Sequence, residues 1–115
     1  MINRKQILEG FLDNLYRISD KEYQKRIWIE GRGPECHNFD EAVCDFFGDG
    51  DPILENYKDF GISEDQYQIL KKFRDEFEIF SDNHDLPQVF LNTPEWARIM
   101  EMAKEVLKAF NYKAD

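Results

Sequence analysis

The stretch Phe39–Phe60, FDEAVCDFFGDGDPILENYKDF, decides how this chain is read. It carries seven carboxylates, Asp40, Glu41, Asp45, Asp49, Asp51, Glu55 and Asp59, against one cation, Lys58. Asn38 or Asp40 can cap a helix that runs through Phe47, with Phe39, Val43, Phe46 and Phe47 turned inward. Gly48-Asp49-Gly50-Asp51 is expected to break that helix. Pro52 then suits the first turn of another short helix, with Asp51 as its cap and Ile53, Leu54 and Tyr57 on its buried side. Gly61 ends it as a C′ residue. On this reading the segment is two short helices around a GDGD turn, with the carboxylates left outside.

The flanks are helical too. Ile7, Leu8, Phe11, Leu12, Leu15 and Ile18 recur at three- and four-residue spacing, which predicts an amphipathic helix over 3–18. Ser19 with Glu22 reads as a capping box for a second helix from Asp20 to about Ile27. Ile27-Trp28-Ile29 is short and rich in β-formers, but it lacks a clear partner strand, so it reads as a helix end. Gly31, Gly33 and Pro34 make the next residues a loop.

Ser63 with Gln66 opens the clearest helix, with Tyr67, Leu70, Phe73, Phe77 and Phe80 as its apolar stripe to about Ser81. SDNHD (81–85) reads as a turn with His84 exposed, and Leu86-Pro87 starts one helical turn. Thr93-Pro94-Glu95 is an N-cap, an N1 proline and a first-turn acid. The last helix runs to about Asn111, with Trp96, Ile99, Met100, Ala103, Val106, Leu107 and Phe110 inward. The expectation is an all-α single compact domain of five or six helices over residues 1–115.

Composition bounds the function. The 115 residues include 17 aromatics, too many for a disordered acidic chain despite a net charge of −9. That charge is uneven: +1 over 1–35, −6 over 36–60, −4 over 61–85 and 0 over 86–115. Phosphate would repel such a chain, so no nucleic-acid partner is expected. No apolar run is long enough for a membrane span, and MINRKQILEG lacks the apolar core of a signal peptide. A cytoplasmic location with reduced thiols is expected.

Specific chemistry is harder to find. An EF-hand loop needs oxygen ligands at its positions 1, 3, 5 and 12. Counted from Asp45, position 3 is Phe47 and position 12 is Asn56; counted from Asp49, position 5 is Ile53. Cys36, His37, Asp40 and Cys44 are a loose set of metal-binding or redox-active types, but the two cysteines stand eight positions apart, wider than zinc pairs use. Gly31–Glu35, GRGPE, lacks the lysine of a phosphate loop. His37 and His84 sit in no nucleophile motif. No enzyme and no cofactor are expected.

A protein-binding role remains. The acidic residues would steer and pair with a basic partner, and Trp28, Phe47 and Tyr57 would supply apolar anchors. In size, acidity and helical pattern the chain resembles the immunity proteins of bacterial toxin systems. Residues 26–60 also resemble a signature found in small bacterial proteins. The first resemblance implies a protein that neutralises a toxin, often a basic nuclease, through an acidic surface; it carries no residue roles. The expected docking set is Asp40, Glu41, Asp45, Asp49, Asp51, Glu55, Tyr57 and Asp59. The alternatives are a small metal or redox site on Cys36, His37, Asp40 and Cys44, or a homodimeric structural subunit.

Overall fold

A computed structural model describes residues 3–31 and 38–113, and among them every regular element is helical. The first helix, α1 (Arg4–Ser19), starts on a capping box: the Asn3 side chain accepts from Gln6 N–H, and the Gln6 side chain accepts from Asn3 N–H. The next cap lies one residue later than the sequence suggests. Ser19 is still in the last turn of α1, where its hydroxyl donates to Tyr16 O at 2.7 Å. Asp20, with extended backbone, instead accepts from the N–H groups of Glu22 and Tyr23. It caps α2 (Lys21–Tyr23), which passes directly into a π-helical stretch, Gln24–Ile29. Ile27–Ile29 is thus a helix end, as expected. The loop reading at 32–37 lies outside the described residues.

The main departure is at the GDGD sequence. One helix, α3 (Phe39–Glu55), runs straight through it, capped by Asn38. Its buried residues, Phe39, Ala42, Phe46, Gly50 and Ile53, keep helical period across both glycines. Gly50 sits where the backbone comes close to Phe11: a Cβ there would lie 3.0 Å from that ring. Burial of Phe46 and Ile53 on either side therefore overrides the weak helix propensity of Gly48 and Gly50. Pro52 lies inside the helix rather than at its start. It has no N–H to offer Gly48 O, but Gly48 is exposed, so that carbonyl is open to solvent rather than stranded in the core.

Gly61 has φ +72° and closes the chain after α3. Gly61 N–H bonds to Lys58 O and Ile62 N–H to Tyr57 O, the paired bonds of a Schellman turn. The capping box of Ser63 and Gln66 opens α4 (Glu64–Asn83), which extends two residues past the expected end. There His84 is half-buried, not exposed: its ring stacks on Phe80 at 4.0 Å. A single turn, α5 (Pro87–Phe90), leads to α6 (Pro94–Ala109), capped by Thr93. Asn111, at φ 55°, ends α6 with a second Schellman pair, Asn111 N–H to Lys108 O and Tyr112 N–H to Leu107 O.

The four long helices close a ring: α1 packs on α3 and α6, and α4 packs on the same two. The radius of gyration, 13.9 Å, is that of one compact body of this length. An aromatic core fills the ring. Trp96 meets Phe39, Phe80, Phe90 and Trp28 at 4.9–6.2 Å between ring centres. Phe46 meets Phe11, Phe73 and Phe77 at 5.2–5.4 Å. One polar side chain is fully enclosed there. Gln24 accepts from Trp96 Nε1 at 2.9 Å and donates to Arg17 O and Ile18 O at 3.0 and 2.8 Å. It thereby caps α1 from inside and satisfies the buried indole. No helix among the described residues is long and apolar enough to cross a membrane.

Candidate protein-docking face

Because α3 is unbroken, its carboxylates belong to one surface. Glu41, Asp45 and Asp49 follow one another at four-residue spacing. Asp40, Asp51 and Glu55 form a second row beside them. Together the two rows cover the exposed half of α3, with Asp51 at its edge beside α4. From Asp40 to Glu55 the surface is about 22 Å long, at 1.5 Å per residue.

The six carboxylates are not equivalent. Asp40 and Glu41 lie in the first turn of α3, where the helix dipole favours negative charge. Glu55 lies in the last turn, where the dipole opposes it and which holds no basic residue. Asp51 is half-buried and bound: Arg74 Nε of α4 donates to it at 3.0 Å. The same guanidinium donates to Asp75 at 3.3 Å and Glu78 at 3.0 Å, and lies over the Phe47 ring at 5.3 Å. The hydrogen bond to Asp51, above all, raises the Arg74 pKa beyond its already high ordinary value. Among the described residues, Asp40, Glu41, Asp49 and Glu55 make no ion pair.

Tyr57 and Asp59 follow in the turn after α3. The Tyr57 ring stacks on Tyr67 at 4.2 Å, and its hydroxyl donates to Glu64 at 2.7 Å. That bond holds the Glu64 carboxyl below its ordinary range and lifts the Tyr57 phenol. Asp59 is exposed, and its N–H bonds to Asn56 O.

The expected apolar anchors are mostly spent on packing. Trp28 is a core residue against Phe39 and Trp96. Phe47 stacks flat on Phe77 beneath Arg74. Among the residues placed in the docking set, the described structure thus supplies charge more than hydrophobic anchors.

Among the described residues, no three His, Cys, Asp or Glu side chains come together as metal ligands would. On a convex helix, carboxylates diverge, so the α3 rows form a field rather than a cage. Cys44 is exposed one turn from Asp40, while Cys36 and His37 lie outside the described residues. Sequence reading missed the Arg74 bridge, because its partners are 23 residues away on another helix and in its own next turns. It missed Gln24 for a like reason: nothing local marks a glutamine whose partner is 72 residues on.

Comparison of the chain with protein-family models, curated proteins and solved structures gave no match.

Proposed function

We propose that this protein is a non-enzymatic binding module whose acidic α3 face docks a basic protein, most concretely as an immunity or inhibitor protein for a basic toxin or nuclease. The observation that carries this reading is the unbroken α3, which sets six carboxylates on one side over about 22 Å. One of these acids stands where the helix does not favour it: Glu55 lies in the last turn, against the dipole, with no basic residue in that turn. A field of this kind accelerates encounter with a basic partner and selects against acidic ones. The mechanism is occlusion: the α3 face fills a groove that otherwise takes nucleic-acid phosphate.

The structure refines the choice of test residues. Reversing Asp51 would break its bond to Arg74, so Glu41, Asp49 and Glu55 are the cleaner set. A partner captured from the native host should be basic, and its purified form should bind the wild-type chain with a salt-dependent on-rate. Glu41→Lys, Asp49→Lys and Glu55→Lys together should slow association by about tenfold or more at low salt and flatten its salt dependence. Unchanged association kinetics for the triple variant would remove α3 from the interface.

A further inference from the structure

Across α1 from the acidic face lies a groove of a different kind. Asn14 and Phe11 of α1 meet α3, through Ala42 O and the Phe46 ring. Tyr16 and Ser19 instead border an open groove of about 670 Å³ between the α1–α2 junction and α6. Its floor is apolar: Met100 and Leu107, which also belong to the core, and the rings of Tyr16 and Tyr112. Those rings meet at 5.8 Å between centres. Tyr112 is held from two sides, by its N–H to Leu107 O at 2.9 Å and by its hydroxyl to Asp13 at 2.7 Å. The floor is thus built before any ligand arrives.

The rim is basic, in a chain that holds 24 acidic and 15 basic residues. Lys104 and Lys108 stand one turn apart on α6, and Lys21 faces them from α2. Among the described residues Lys21 and Lys108 make no ion pair. Among the described residues Lys104 forms an ion pair with Glu101 alone, at 3.3 Å, with both side chains more than half exposed. A pair of that kind yields readily. Two acids also line the groove. Asp20 is committed to the first N–H groups of α2, and Glu22 is exposed.

We propose that this groove binds a small organic carboxylate with an aryl or medium-length acyl body. The body lies on Tyr16, Met100, Leu107 and Tyr112, and the carboxylate meets Lys104 and Lys108. The volume falls within the roughly 300–1,000 Å³ of small-molecule sites. From Met100 to Lys108 the α6 wall is about 12 Å long, at 1.5 Å per residue. That is too short for the α3 face of a second copy, which is about 22 Å long on the same measure. The lysine stems add apolar wall while their heads reach the anion.

The test is titration of the full chain with phenylbutyrate and with octanoate, followed by backbone amide NMR and calorimetry. Saturable one-site binding is expected, with shifts confined to the α1–α2 junction and the second half of α6. Phenylbutanol, which has the body without the charge, should bind about tenfold more weakly or worse. Lys104→Glu with Lys108→Glu should produce a loss of the same order. Both lysines are exposed, so the variant should fold, and Lys71→Glu on the opposite seam should leave affinity unchanged. The proposal is overturned by any of three results: no saturable shift with either acid at millimolar concentration, equal affinity for the alcohol, or equal affinity in the double variant. Concentration-dependent shifts of the same residues without ligand would give the groove to a second copy and overturn it too.

Discussion

The α1–α6 side and the α3–α4 side of this helical ring are fastened by opposite means. Between α1, the π-helical stretch and α6, the fastening is Gln24: fully buried, uncharged, and bonded to Trp96, Arg17 O and Ile18 O. Between α3 and α4 it is Arg74, which ties Asp51, Asp75 and Glu78 at a surface half open to water. A buried neutral bond adds only about 1 kcal/mol net, but leaving its partner unsatisfied costs about 1–3 kcal/mol. An exposed ion pair contributes about 0–1 kcal/mol and is screened by salt. The first seam is therefore the expensive one to break, and the second the one that responds to solution conditions.

The largest effect should follow from Gln24→Leu. It strands the Trp96 indole N–H and withdraws the inner cap from two carbonyls of α1, for an expected loss of about 3 kcal/mol or more. Urea unfolding measures it. A loss below about 1 kcal/mol would mean that water or a neighbour replaces the amide, and the contrast between the seams would collapse. Trp96→Phe, alone and combined with Gln24→Leu, separates the indole bond from the capping bonds by a double-mutant cycle.

Next come the two glycines of α3, which look alike in sequence and differ in place. Gly50→Ala puts a methyl carbon 3.0 Å from the Phe11 ring, whereas Gly48→Ala meets nothing within 4 Å. Alanine gains about 1 kcal/mol of helix propensity at either site, against about 1–3 kcal/mol for crowding at Gly50. The expected signs are opposite: Gly48→Ala stabilises by about 0.5–1 kcal/mol, and Gly50→Ala destabilises by about 1 kcal/mol. Thermal or urea unfolding of the pair tests this. Stabilisation at both would show that Phe11 moves aside freely.

These glycines also mark where sequence stopped being legible. Ser63 with Gln66 and Thr93-Pro94-Glu95 are local signals, and both open helices where expected. In GDGDP every local signal favours a break. The opposing signal, Phe46 and Ile53 buried on either side with Phe11 between, exists only once α1 is in place. The acidic set was legible as composition. Its arrangement in two rows was not, because that depends on the helix continuing. The basic groove joins residues 16–22 to residues 100–112 and has no local pattern at all.

Arg74→Met should have a smaller effect. It keeps an apolar stem over Phe47 but loses the bonds to Asp51, Asp75 and Glu78. The expected cost is about 1 kcal/mol at low salt, shrinking at high salt as screening weakens what was lost. Chemical unfolding by urea across a salt series measures it. A cost independent of salt would mean that Arg74 contributes through its packing on Phe47 rather than through charge.

The smallest effect is also the one that separates the seams most cleanly. Glu64 is held below its ordinary range chiefly by the Tyr57 hydroxyl, and Asp75 chiefly by Lys71. Carboxyl groups with depressed folded-state pKa values give stability that is fully present above their ordinary pKa, about 4. As pH falls through and below that value, the unfolded chain takes up protons first, and the contribution disappears at the folded-state pKa. Tyr57→Phe should therefore flatten the acid limb of the stability profile while changing little near neutrality. Lys71→Met should flatten it independently. Gln24 has no charge to titrate, so the loss from Gln24→Leu should be the same at pH 7 and at pH 4, measured by urea unfolding. An acid-sensitive Gln24 variant would mean that the α1–α6 side carries an electrostatic load of its own.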